Sequence, residues 1–226
     1  MIWRAVLLSL WTAPAAADIT AAHYAEPTTR YAHGILGDAV EWGALVIETE
    51  DGRLLFRLPE TRVFEDTAPR LADLDGDGDL EVITVETDLS RGASLSIWDE
   101  AGRVAATPFI GQPTRWLAPA GAADLDRDGR VEIAYIDRPH LLKRLRIVRL
   151  EQGRLAEVAS LDGVTNHRIG DKDISGGVRD CGGGPELVLL SADWSRVVAV
   201  TLPGPALRDL GANTSGRLAA ALACRD

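Results

Sequence analysis

Two short acidic segments carry the most specific chemistry in this sequence. Asp73-Leu74-Asp75-Gly76-Asp77-Gly78-Asp79-Leu80-Glu81 reads D-x-D-x-D-G-x-x-E, and Asp124-Leu125-Asp126-Arg127-Asp128-Gly129-Arg130-Val131-Glu132 repeats the pattern 51 residues later. Alternate carboxylates on a tightly turning loop point at one centre. Gly78 and Gly129 at the sixth position permit the turn. Asp79 and Arg130 at the seventh offer a backbone carbonyl, and Glu81 and Glu132 at the ninth add a carboxylate directly or through water. Nine acidic side chains crowded into two loops repel one another unless a cation sits among them. A hard ion with six or more oxygen ligands answers that arrangement, and Ca²⁺ fits it better than Mg²⁺ or Zn²⁺. The expectation is therefore two Ca²⁺ sites. An EF-hand fails on the same residues: its twelfth position needs a bidentate Glu, and Thr84 and Tyr135 stand there.

The elements that position these loops are short strands in a repeat. Gly52, Gly102, Gly153 and Gly204 sit in hairpin-like turns spaced 50, 51 and 51 residues apart, each after a β-rich run such as Leu95-Ser96-Ile97-Trp98. A second strand family begins at Glu81, Glu132 and Glu186, directly after the acidic loops. The same phase in the first repeat falls near Arg30 to Ile35, which predicts a poorer strand there. The units run about 19–68, 69–117, 118–168 and 169–226, with some four strands each and no sustained helical spacing. The predicted fold is all-β, a β-propeller of about four blades; a β-sandwich is the competing architecture. Closure is expected from the run Arg217 to Ala223 pairing with Ile19 to Ala25.

Ala72 to Ile83 and Ala123 to Ile133 resemble the VCBS / FG-GAP repeat family, which is similar to the N-terminal propeller of integrin α subunits. The resemblance implies Ca²⁺ held in hairpin loops of a propeller, for rigidity and partner binding. The fourth repeat carries a worn copy, Val178 to Glu186, in which Asp180 and Glu186 keep two of the acidic positions and a metal is expected to bind weakly or not at all.

Residues 1–17 combine Arg4, a short apolar run and Ala15-Ala16-Ala17, the pattern of a signal peptide cleaved after Ala17. Residues 18–226 then form a single domain, periplasmic or secreted. Export permits a disulfide between Cys181 and Cys224, the only two cysteines. No later window is long and apolar enough for a membrane helix. With Lys+Arg 24 against Asp+Glu 34 the net charge is −10, which argues against a nucleic-acid surface.

In a four-stranded blade the turns between the second and third strands lie opposite the acidic loops. Those turns bring Asp38, Trp42, Asp88, Arg91, Asp137, His140 and Trp194 to one side, with Arg115, Trp116 and His167 on neighbouring connections. This set is a candidate binding face. The aspartates equally suit ordinary turns, and the tryptophans equally suit packing between blades. No metalloprotease, nucleophile-elbow or phosphate-loop motif occurs. Ser191, Asp193 and His167 could form a hydrolytic group only if folding brought them together. The expected function is an exported, Ca²⁺-stabilised, non-catalytic module for a protein or glycan partner; the alternative is a cation-dependent hydrolase or lyase on extracellular polymers.

Overall fold

Short aliphatic and β-branched runs, each closed by a Gly or Asp turn, become strands in this protein. The structure, a computed structural model, describes residues 18–225, so the expected signal segment lies outside the described residues. Chain order begins with β1 (Ile19–Thr28), β2 (Glu41–Thr49) and β3 (Gly52–Arg57). Then β4 (Arg62–Phe64) and β5 (Arg70–Ala72) lie end to end along β6 (Glu81–Asp88), followed by β7 (Gly92–Asp99) and β8 (Gly102–Ala106). A plain meander comes next: β9 (Leu117–Ala123), β10 (Glu132–Asp137), β11 (Arg144–Glu151) and β12 (Arg154–Asp162). The last sheet repeats the broken first strand, with β13 (Val164–Thr165) and β14 (Gly177–Asp180) end to end on β15 (Pro185–Ser191). It continues through β16 (Arg196–Thr201) and β17 (Ala206–Ala212) to a short helix, α1 (Arg217–Leu222).

All strand pairs are antiparallel, so the chain is all-β built from sequential hairpins. In the β11–β12 hairpin Gln152 and Gly153 both take positive φ, 50° and 72°. That twist suits a two-residue hairpin turn, and Gly is the residue that adopts it without strain. The strand β4 bridges β2 and β6, joining the first two units in one sheet.

Burial follows the same serial order. One core joins Tyr24, Leu45, Ile47 and Phe64 of the first unit to Val82 and Trp98 of the second. The next joins Ile83, Leu95 and Ile97 to Leu117, Ile133 and Val148. A third joins Ile136, Leu145 and Ile147 to Leu187, Leu189 and Val200. Alternation along β15 then turns Val188 and Leu190 to the other side, where Ala221 of α1 covers them with Leu218 and Leu222 packed alongside.

Two expectations are corrected here. Arg30 to Ile35 is not a strand; the strand of the first unit lies upstream at β1, where Ala22, His23 and Tyr24 pair with Ile47, Val46 and Leu45. Tyr31 and Ile35 are instead buried from the long β1–β2 connection. The run from Arg217 does not pair with β1 but coils into α1. Ala219, Ala220 and Ala221 are strong helix formers, and Leu218, Ala221 and Leu222 fall on one helical face. A contact between the first and last units is made by loops instead: the Gly170 N–H donates to the Ile35 carbonyl at 3.0 Å.

Candidate metal centres and binding face

The loop between β5 and β6 folds around its first carboxylate. Asp73 Oδ1 accepts the Gly76 N–H at 2.7 Å and Oδ2 accepts the Gly78 N–H at 3.2 Å. Asp124 repeats this, accepting the Asp128 and Gly129 N–H groups at 3.0 Å. Gly78 and Gly129 have φ of 101° and 88°, as the sixth position requires. Arg127 takes the left-handed conformation that Gly76 takes in the first loop, at φ 63° and 82°.

At the loop base Glu81 and Glu132 turn inward from the first residues of β6 and β10. Glu81 Oε2 accepts the Leu74 N–H at 2.6 Å, and Glu132 Oε2 accepts the Leu125 N–H at 2.8 Å. The result is two matching clusters, Asp73–Asp75–Glu81 and Asp124–Asp126–Glu132. Each offers oxygens that lie within 4.8 Å of one another, and each could hold a metal ion. Burial pushes the Glu81 carboxyl up to about 7; the Leu74 N–H opposes this, and Asp75, Asp77 and Asp73 reinforce it. A bound cation removes the cause, since it pays for burying the negative charge.

Asp77, Asp79, Asp128 and Arg130, the other predicted ligands, are not members of these two three-residue clusters. The Asp79 N–H donates to Asp77 Oδ1 at 2.9 Å, and the neighbouring Asp18 carboxyl holds the Asp79 carboxyl above its ordinary range. Asp128 pairs with the Arg130 guanidinium at 2.7 Å, which holds its carboxyl low.

The two clusters differ in one respect that the motif does not show. Arg149, opposite Glu132 in the β10–β11 register, sends its guanidinium into the second cluster. It lies 2.7 Å from Glu132 through Nε, 3.0 Å from Asp126 and 3.1 Å from Asp128. Among the described residues Glu81 has no basic partner. The β7 residue after Trp98 is Asp99, which caps the Gly102 turn through an N–H bond of 2.8 Å.

In the fourth unit the connection between β14 and β15 has shrunk to residues 181–184. Asp180 Oδ1 accepts the Gly182 and Gly184 N–H groups at 2.8 and 3.0 Å, while Glu186 is bound by Arg179 at 2.7 Å and Arg208 at 2.6 Å. Asp180 and Glu186 thus serve a tight turn and an ion pair. Cys181 is bonded to Cys224, with a Cα–Cα distance of 5.6 Å, and fastens α1 to this turn.

At the strand ends opposite the acidic loops, the turn aspartates serve the backbone. Asp88 accepts the Ser90 and Arg91 N–H groups at 3.0 and 3.1 Å and pairs with the Arg91 side chain at 2.7 Å, which holds its carboxyl well below the usual range. Asp137 pairs with Arg138 at 2.8 Å and Arg146 at 2.9 Å. Asp38 is exposed and caps the Val40 N–H. Trp42 packs on the first core, and Trp194 packs on the last with the Arg168 guanidinium 4.1 Å over its ring.

His140 stands apart from that set. Its Nε2 lies 3.1 Å from His167 Nδ1, and His167 Nε2 bonds the Asp171 carbonyl oxygen at 2.9 Å. Burial, then the neighbouring His167, lowers His140 to about 4; burial lowers His167 as well. The Ser191 hydroxyl donates to Asp193 at 2.6 Å, while both His167 nitrogens bond His140 and Asp171 instead of Ser191 or Asp193.

Nearby lies a buried acidic group that the sequence reading missed. Glu65 is fully buried, held by His33 Nδ1 at 2.5 Å and the Thr87 hydroxyl at 2.6 Å. Burial raises Glu65, and it pushes Glu41 up to about 9, with the Glu65 charge as the next cause. Both sit in segments of no recognisable motif. The pairing of Arg149 with Glu132 is set by the β10–β11 connection, residues 138–143, which has no short Gly turn to announce the register.

Residues 73–135 match the family model of the FG-GAP-like repeat, a span containing both acidic loops. A search of curated proteins finds no match to the chain.

Proposed function

We propose that the chain is an exported, Ca²⁺-stabilised propeller of four blades that binds a protein or glycan partner and carries no catalysis of its own. The FG-GAP-like repeat suggests a β-propeller-like binding module. The observation that carries the Ca²⁺ reading is the pair of equivalent carboxylate clusters, each closed by a buried Glu. Oxygen ligands alone, on a loop turned by Gly78 or Gly129, suit a hard cation. Two ions offset four charges in the most acidic parts of the fold, and binding to the folded state alone stabilises it by mass action. Export is supported by the signal-like residues 1–17 and by the Cys181–Cys224 bond, which an oxidising compartment permits. Calorimetric titration of Ca²⁺ into chelator-stripped protein tests the reading: two ions per chain are expected, and no binding at millimolar Ca²⁺ contradicts it.

A further inference from the structure

At the end of the strands away from the acidic loops lies a cavity of about 310 Å³ to which all four units contribute. His33 and Ile35 come from the β1–β2 connection, Arg115 and Trp116 from the segment before β9, His140 and Leu141 from the β10–β11 turn, and Ile169 from the insertion between β13 and β14. Its inner wall is fixed. Trp116 Nε1 donates to the Glu65 carbonyl at 2.8 Å, and the Trp116 ring stacks on His140 at 6.4 Å with an interplanar angle of 9°.

Its rim is not satisfied by the fold. Ile169 and Leu141, at 71% and 64% exposure, are the two most exposed large apolar side chains of the described residues, and both border this cavity. An exposed apolar side chain is ordinary alone; two at one cavity mark a surface that gains by being covered. Arg115 adds the polar signal. Its Nη1 donates only to the neighbouring Thr114, at 3.0 Å to the carbonyl, and no carboxylate among the described residues pairs with it. Arg138, on the same cavity, is neutralised by Asp137. An unpaired guanidinium is notable in a chain of net charge −10, where acids outnumber bases.

We propose that this cavity binds the carboxylate end of a compact apolar ligand. Arg115 pairs with the carboxylate, for which its planar fork is suited, and Ile35, Leu141, Ile169 and the Trp116 wall cover the apolar body. The volume matches a ligand at the small end of the usual range. The same chemistry is offered by a free aliphatic acid and by the last residue of a peptide chain. The peptide case rests on the binding-module reading and names the part of the partner that is held.

The test is calorimetry in saturating Ca²⁺ with two acids, hexanoate and acetyl-Ala-Ala-Leu, each against its neutral amide. The expected result is that at least one acid binds about tenfold or more tightly than its amide, roughly 1.4 kcal/mol. Arg115→Gln is expected to erase that ratio, and Ile169→Ser, which removes apolar cover without adding charge, to weaken acid and amide together. Both side chains lie at the rim, so folding is preserved in each variant, as the melting curve checks. Preference for the tripeptide identifies a chain end, and preference for hexanoate a free acid. Saturation by neither acid, or a ratio unchanged in Arg115→Gln, overturns the proposal. Ca²⁺ stoichiometry is measured separately and distinguishes this failure from failure of the Ca²⁺ reading.

Discussion

Arg149 places its guanidinium against Glu132 inside the second carboxylate cluster, while the matching Glu81 of the first cluster accepts the Leu74 N–H and has no basic partner among the described residues. The two loops share a motif but not an electrostatic state. The second carries an internal counter-charge; the first depends on an outside one. Replacing Arg149 by Met leaves the second cluster equally uncompensated. The expected outcome is a lower melting temperature in EDTA and a larger rise on adding Ca²⁺ than in the parent, read by scanning calorimetry. An unchanged Ca²⁺ response contradicts the inequivalence.

The reciprocal change is Glu81→Gln. The side-chain oxygen can still accept the Leu74 N–H, but the buried charge is gone. Melting in EDTA is expected to stay level or rise, and the Ca²⁺-induced gain to shrink by more than half, because the second cluster keeps its internal counter-charge. Glu132→Gln is expected to lower stability in EDTA instead, by roughly 1–3 kcal/mol, because it weakens the only buried partner of Arg149. Paired melting curves of the two variants with and without Ca²⁺ check this ordering.

Buried Glu41 makes stability fall as pH rises. Its folded-state value of about 9 lies above the ordinary carboxyl range near 4, so the folded state keeps a proton that the unfolded state releases. Its contribution is fully present below about pH 4 and declines up to about pH 9. Glu41→Gln cannot ionise and is expected to raise the melting temperature at pH 8 by about 2 °C or more, with little change at pH 5. Equal shifts at both pH values contradict this origin.

Besides the apolar packing of Leu218, Ala221 and Leu222, the Cys181–Cys224 bond and the Arg179 donation to the Ala221 carbonyl at 2.5 Å tie α1 to the last sheet. Changing both cysteines to Ser is expected to cost about 2–4 kcal/mol in denaturant unfolding. Hydrogen exchange is expected to rise first in α1 and in Val188 to Leu190 beneath it. A loss spread evenly over all sheets contradicts a local fastening.

Much of this was legible from spacing alone. The Gly turns and the paired D-x-D-x-D-G-x-x-E loops marked the hairpins and located Asp73, Asp75, Glu81, Asp124, Asp126 and Glu132 on equivalent ones. What stayed hidden depends on contacts across units. The strand of the first unit moved upstream because Tyr24 pairs with Leu45, a register no local pattern announces. Arg217 to Leu222 is short enough that its helical face became readable only with Val188 beside it. The turn aspartates Asp88 and Asp137 bond their own turns and arginines, and the Asp137–Arg146 pair reaches across to β11, which the turn sequence alone does not show. The cavity around Trp116 draws on residues from 33 to 169, a convergence that no single segment carries.

The central claim, that Ca²⁺ in the two loops stabilises this fold, is tested most directly by the melting temperature of the purified chain in EDTA against millimolar Ca²⁺. A rise of several degrees is expected, of the order given by about 2.7 kcal/mol at a hundredfold excess over Kd, and it should vanish in the Asp73→Asn, Asp124→Asn double variant. Identical melting temperatures in EDTA and Ca²⁺ for the parent chain contradict the account.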